Sequence, residues 1–327
     1  MTIVSVNENM HPSLDRTKRW ARLLVNPSSG NQGAVWQLPR IVAALEGAGM
    51  RVVLSFTTAD GPPTALAAEA ARARYDLVIV AGGDGTISAV AQGLLGTDVP
   101  LGIVPVGTYN NIARSLAIPA DLAGALDVLL HGQPWRIDAA TANGTPFLEV
   151  AGVGLDARLF PMAEQIKSGA WYQVGAALHT LHYYRPRKVR IELGDGQHVV
   201  ARPLMVMVSN MPYFGMGFAV APTARPDSGR LVLSVFEHMT KLQLLQHFAA
   251  IAYGRPVREP RISTYCGTRF RITTAARPAL PVEADGRVVG RTPVLIAVVP
   301  SALTVLAPHP TPSAHGYLAA IRKQHPE

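Results

Sequence analysis

The sequence predicts a two-domain α/β chain, a doubly wound α/β domain followed by a β-sandwich domain. Strands alternate with helices as far as about residue 134, and from Trp135 the text turns strand-rich. Gly-containing loops close three of the early strands, at Asn26–Gly30, Gly82–Thr86 and Pro105–Leu116.

Each early element has its own signal. Arg22–Val25, Arg51–Phe56, Leu77–Val80 and Leu101–Val104 are compact apolar runs bounded by Gly, Pro or Asn, which reads as buried strands. Val35–Ala48, Pro62–Arg74 and Thr86–Leu95 carry helix formers, with Pro62 and Pro63 near a helix start, where proline is tolerated. This repetition implies a parallel, Rossmann-like sheet with helices on both faces and ligands at the carboxyl ends of the strands.

In the second part, strands are predicted at Arg136–Ala140, Phe147–Val150, Lys188–Leu193, Val199–Val208, Leu231–Phe236, Arg269–Thr273 and Val294–Val299. Helical windows cover Leu155–Tyr184 and Lys241–Tyr253. Many short strands with turn signals read as a sandwich. The expected division is a flexible N-terminus at 1–19, an α/β domain at 20–134, and a β-sandwich domain at 135–307. Residues 308–327, with a terminal helix at Ser313–Gln324, are expected to pack back on the first domain.

The chain has 327 residues, 48% hydrophobic and 16% charged, which suits packed globular domains rather than disorder. A formal charge of +8 and a pI near 9.9 favour anionic partners. The basic residues are scattered, with clusters only at Arg185–Arg190 and Arg255–Arg261, so nucleic acid is not expected as a partner. A single cysteine, Cys266, excludes an internal disulfide and a multi-cysteine metal site and fits a reducing cytoplasm. The most apolar late stretch, Val294–Ala307, is broken by Pro300 and falls short of the about 20 residues needed to span a bilayer. The expectation is a cytoplasmic protein whose membrane contact is peripheral.

Glycine lets a backbone approach a phosphate closely, and N–H groups at a helix start point at the anion. Ser28, Ser29, Thr86 and Thr108 add hydroxyl donors. Asp84 would repel a bare phosphate, but suits a divalent cation bridging it to phosphates. One glycine-rich turn is a weak signal, because tight strand–helix turns need glycine anyway. Three at successive strand ends, one with an embedded aspartate, point to a phosphate site. The Asp285-Gly286 pair is by itself a common hairpin turn.

NPSSG at Asn26–Gly30, GGDGT at Gly82–Thr86 and PVGTYNNIAR from Pro105 together resemble the diacylglycerol kinase catalytic-domain family, in its bacterial lipid-kinase branch related to sphingosine and ceramide kinases. GVGLDA at Gly152–Ala157, NMPYFGMGFAVAP at Asn210–Pro222, PDSGRL at Pro226–Leu231 and EADGRVVGRTP at Glu283–Pro293 extend the resemblance over nearly the whole chain. GGDGT alone is shared with NAD kinases and phosphofructokinases. The resemblance implies the NAD kinase/diacylglycerol kinase fold, with ATP and a lipid alcohol meeting between the domains. It implies ATP contacts at Asn26, Ser29, Thr57, Gly82, Gly83, Asp84, Gly85, Thr86, Gly107, Thr108 and Asn110. Asp84 and Asp285 are the implied catalytic residues, Asp285 taking or orienting the proton of the acceptor hydroxyl. Mg²⁺ is the implied metal, at Asp84 and Asp227. An anionic membrane surface is the further expected partner, and a homodimer is left open.

Four positions depart from the family. Arg287 replaces the glutamate after Asp-Gly and cannot accept a proton, which leaves that role to Asp285 or Glu283. Asn111, Ser228 and Ala89 replace acidic residues. The expected function is γ-phosphate transfer to diacylglycerol or a related lipid. The alternatives are an NAD-kinase-like enzyme and a nucleotide- or lipid-binding protein that has lost transfer activity.

Overall fold

The computed structural model describes residues 17–29, 33–58, 61–159, 173–194, 196–252, 261–275 and 277–308. The first part is built from β1 (Arg19–Val25), α1 (Gly33–Gly47), β2 (Met50–Phe56), α2 (Pro63–Arg72), β3 (Leu77–Gly82), α3 (Asp84–Leu94), β4 (Leu101–Pro105), the short α4 (Asn111–Ser115) and α5 (Leu122–His131). The four strands pair in parallel in the order β2-β1-β3-β4. Side chains alternate between faces along a strand. Leu24, Val78 and Val80 therefore enter one core, and Leu23, Val25, Ile79 and Ala81 enter the other. Both faces are buried, which is why these strands read as unbroken apolar runs.

The second part contains β5 (Gln133–Ala142), β6 (Thr145–Phe147), β7 (Val150–Gly154), α6 (Gln173–Tyr183), β8 (Val189–Leu193), β9 (His198–Ala201), β10 (Met205–Ser209), β11 (Tyr213–Phe214), β12 (Phe218–Ala219), β13 (Leu231–Phe236), α7 (Lys241–Ala252), β14 (Ile262–Gly267), β15 (Arg269–Thr274), β16 (Pro281–Ala284), β17 (Arg287–Arg291) and β18 (Val294–Ala307). Six of these strands form an antiparallel sheet in the order β14-β13-β10-β7-β16-β17. It packs against β5, β8, β15 and β18 over a core that includes Phe147, Val153, Val206, Phe270 and Ile296.

Strand β18 joins the two parts. Its start pairs with β15, its length pairs with β5, and Val305 meets Leu101 of β4. The parallel sheet and one layer of the sandwich are therefore one continuous sheet.

Among the predicted strands that differ in extent, three have a local reason. Phe147–Val150 is the end of β6 and the start of β7, and between them Leu148 and Glu149 turn their amides onto Asp285. Val199–Val208 divides into β9 and β10 around Pro203, which has no N–H to give a ladder. Val294–Val299 extends to Ala307, because an irregularity between Val299 and Leu303, with Ser301 at φ 50°, absorbs Pro300. Helix α5 and strands β11, β12, β14, β16 and β17 are additions to the predicted elements. Within the predicted helical window Leu155–Tyr184, residues 160–172 lie outside the described residues, as do residues 309–327 with the predicted terminal helix.

Candidate active site

The three predicted phosphate loops gather at the carboxyl ends of β1, β3 and β4. The β3 and β4 loops touch through their glycines: a Cβ on Gly107 would lie 2.5 Å from Gly83 Cα, so only a backbone without side chains can cross there. The β1 and β3 loops are held by Asn26, whose Nδ2 donates to Thr86 Oγ1 at 2.9 Å. Asn26 Oδ1 in turn accepts from the Ser28 amide and hydroxyl at 3.0 and 2.8 Å. Asn110, in the left-handed region at φ 52°, closes the β4 loop by exchanging hydrogen bonds with the Gly107 backbone at 2.9 and 3.0 Å. Asp84 opens α3 and accepts the Ile112 amide at 2.9 Å, fixing α4 against α3.

The side chains of Asn26, Thr86 and Asn110 thus frame the loops. Ser29, Thr57 and Thr108 stand at their rims, and their hydroxyls bond to no other described residue. Thr57 is placed there by its amide, which donates to Val25 O at 2.9 Å. Gly82 packs on Thr86, whereas a Cβ on Gly85 would meet no atom within 4 Å. Gly85 therefore faces open space beside Asp84.

Opposite α3 stands the β16–β17 hairpin. Asp285 and Gly286 form its two-residue turn with φ values of 45° and 78°, the positive pair of a type I′ turn. The hairpin reading of Asp-Gly and its placement at the cleft are thus the same fact. Asp285 Oδ2 accepts from Ser88 Oγ at 2.6 Å and from Leu148 N at 2.9 Å. Its Oδ1 accepts from Glu149 N at 2.9 Å and Val150 N at 3.3 Å. Burial pushes its carboxyl up, against these four hydrogen bonds, which hold it down. Four donors on two oxygens fix the carboxyl group in one orientation at the edge of the cleft. The Ser88 bond crosses between the two domains.

A cleft of about 70 Å³ lies between α3 and this hairpin, lined by Gly85, Ser88, Gln92, Thr145, Asp285 and Arg287. Sequence reasoning left out Ser88 and Gln92, although they follow Asp84 at four-residue intervals and so share its helix face. Gln92 Nε2 reaches Pro146 O at 3.3 Å.

Behind the hairpin, Glu283 pairs across the sheet with Gly152, where a Cβ would lie 2.0 Å from Asp156 Oδ2 and 2.6 Å from Glu283 Oε1. The absent side chain makes room for two carboxyl groups. Glu283 Oε2 accepts the Gly286 amide at 2.8 Å. Asp156 Oδ2 and Glu283 Oε1 are buried with no donor from elsewhere, so one proton held between them satisfies both. Burial pushes Asp156 up to about 6; burial and then the Asp156 charge push Glu283 well above the usual carboxylate range. Glu283 is fully enclosed and supports the turn from behind rather than facing the cleft.

Asp227 does not join Asp84. Both of its oxygens lie 3.2 Å from the Arg225 guanidinium, a bidentate pair. Ser228 Oγ donates instead to the backbone carbonyls of Arg225 or Arg230. Among the described residues no group of three or more His, Cys, Asp or Glu could hold a metal. A single carboxylate at a helix start beside open space fits a magnesium ion brought by a nucleotide and completed by its phosphates. Asn111 also has a positive reason to be an amide: it is buried, and its Nδ2 donates to Gly215 O at 2.9 Å, which an aspartate could not do.

Fold and site together define a two-domain phosphate-loop protein of the α/β-plus-sandwich type. Residues 20–142 match the diacylglycerol kinase catalytic domain, and residues 149–307 match the YegS C-terminal NAD kinase beta sandwich-like domain. A diacylglycerol kinase of Mycobacterium tuberculosis is 31% identical over 87% of this chain and 94% of its own length. One from Bacillus subtilis is 29% identical over 81% and 89%. A solved structure of a putative diacylglycerol kinase from Bacillus anthracis superimposes with a TM-score of 0.73 at 28% identity, covering 89% of this chain and 98% of the other. The chain belongs to the diacylglycerol kinase family.

Proposed function

We propose that the chain is an ATP-dependent lipid kinase that transfers the γ-phosphate to a hydroxyl of diacylglycerol or a related lipid. The observation that carries this reading is the convergence of three loops, crossing at Gly83 and Gly107, on open space beside Asp84 and Gly85. Family membership over both domains supports it and does not favour a dinucleotide acceptor. ATP would lie along Ser29, Thr57, Gly83, Gly85 and Thr108, with Asn26, Thr86 and Asn110 holding the loops in register. A nucleotide-borne Mg²⁺ at Asp84 would neutralise phosphate charge. Asp285 and Ser88 orient the acceptor side of the cleft.

A peripheral membrane contact is part of the same reading. Tyr183, Leu242 and Leu245 are exposed, and Lys241 Nζ, at the start of α7, donates to the His182 carbonyl, bringing α6 and α7 together. A separate cavity of about 120 Å³ is lined by Arg158, Tyr184, Arg185 and Arg187. Apolar side chains beside a basic cavity suit an anionic lipid surface.

The test is transfer of labelled γ-phosphate from ATP–Mg²⁺ into lipid, with Asp84→Asn in parallel. Labelled lipid from the natural chain and a loss of about 100-fold or more in the variant are expected. No labelled lipid, with ATP still bound, would favour a binding protein that has lost transfer.

A further inference from the structure

The cleft between α3 and the β16–β17 hairpin contains one side-chain carboxylate and one cation among its lining residues, and their situations are opposite. Asp285 has all its acceptor capacity engaged by Ser88 and three backbone amides. Glu283, two residues before it, is enclosed and committed to Gly286 and Asp156. Arg287 is exposed, opens β17 directly after the turn, and its side chain makes no ion pair or hydrogen bond with another described residue. It shares the cleft with Gly85, the open glycine of the phosphate loop. An unpaired planar guanidinium facing a phosphate loop is suited to bidentate contact with phosphoryl oxygens.

We infer that Arg287 is a catalytic residue that holds the transferring phosphoryl group, and that transfer here runs on electrostatic stabilisation without a side-chain general base. Phosphoryl transfer passes through a loose transition state with charge spread over the equatorial oxygens, so fixed positive charge contributes more than early proton removal. The acceptor oxygen forms its bond to the γ-phosphorus as the bond to the β,γ-bridging oxygen breaks. ADP leaves with that electron pair. The hydroxyl proton passes to a non-bridging oxygen of the transferred group, giving a phosphomonoester monoanion that then equilibrates with water. This inference rests on the kinase reading of the same cleft.

The experiment compares binding of ADP–Mg²⁺ with and without aluminium fluoride, a mimic of the transferring phosphoryl group, by calorimetry, and measures lipid phosphorylation alongside. The natural chain is expected to bind the fluoride complex at least about 10-fold more tightly than ADP alone. Arg287→Gln is expected to lose that preference with ADP affinity unchanged, and to lower kcat by about 100-fold or more. Arg287→Lys recovers part of both. Retained preference and turnover in Arg287→Gln would overturn the inference. So would Arg287→Glu matching or exceeding the natural kcat, because the position would then serve a base. An Arg287-dependent fluoride preference without any labelled lipid would keep the phosphoryl contact and sink the lipid-kinase reading instead.

Discussion

Asp285 is at once a turn residue and a multiple hydrogen-bond acceptor. As Asp-Gly it makes a two-residue hairpin turn, and as a carboxylate it gathers Ser88 from α3 and three amides from the β6–β7 bend. Asp285→Asn would turn an amide N–H₂ toward groups that are themselves donors. The expected cost is about 2–4 kcal/mol, because a buried donor left facing a donor loses its hydrogen bond and stays desolvated. Urea denaturation would measure it, and Ser88→Ala, which removes only one donor, should cost about 1 kcal/mol. A variant Asp285→Asn as stable as the natural chain would contradict the network. Sequence reasoning saw the turn and expected the residue at the site. It could not see the four donors, which come from positions as much as 197 residues away.

Among the elements, β7 and β16 hold the most unusual pairing, two carboxyl groups folded over the bare Cα of Gly152. Asp156 has its pKa pushed up to about 6 by burial, against an unfolded value near 3.8. The folded state therefore keeps a proton that the unfolded chain releases. The stability this contributes is fully present below about pH 4 and is lost as pH rises through about 6. Glu283, raised well above its ordinary value, adds to the decline. The melting temperature is expected to fall by a few °C across this window, and Asp156→Asn, which gives the pair a permanent donor, should flatten the profile. A profile of unchanged slope in the variant would remove the shared proton. GVGLDA and EADGR were legible as motifs. Their contact was not, because cross-strand register is set by the whole sheet.

For the whole molecule, β18 matters most, since it makes the parallel sheet and one sandwich layer a single sheet and so sets the hairpin against α3. Tyr183, Leu242 and Leu245 are exposed, and Tyr183 lines the basic cavity with Arg158, Arg185 and Arg187, the surface proposed above to meet a membrane. Vesicle sedimentation should show binding to anionic lipid that weakens in 0.5 M salt, since each basic group near such a surface contributes about 1 kcal/mol and salt screens it. Arg187→Glu should weaken binding about 10-fold or more while leaving ATP affinity unchanged. Equal binding to neutral vesicles would remove the electrostatic part of the reading.

The sequence by itself determined the parallel strands, the glycine loops that end them and the Asp-Gly turn. These depend on side-chain alternation, backbone conformations open to glycine and turn residues, all of which act between near neighbours in the chain. Tertiary structure decided what the charged groups do. It bound Asp227 to Arg225, enclosed Glu283 with Asp156, saturated Asp285 with donors and left Arg287 unpaired across from Gly85. The physical reason is that a carboxylate's role depends on which donors and charges surround it. Here those partners arrive from other strands and from the other domain, through pairings that only the assembled sheets define.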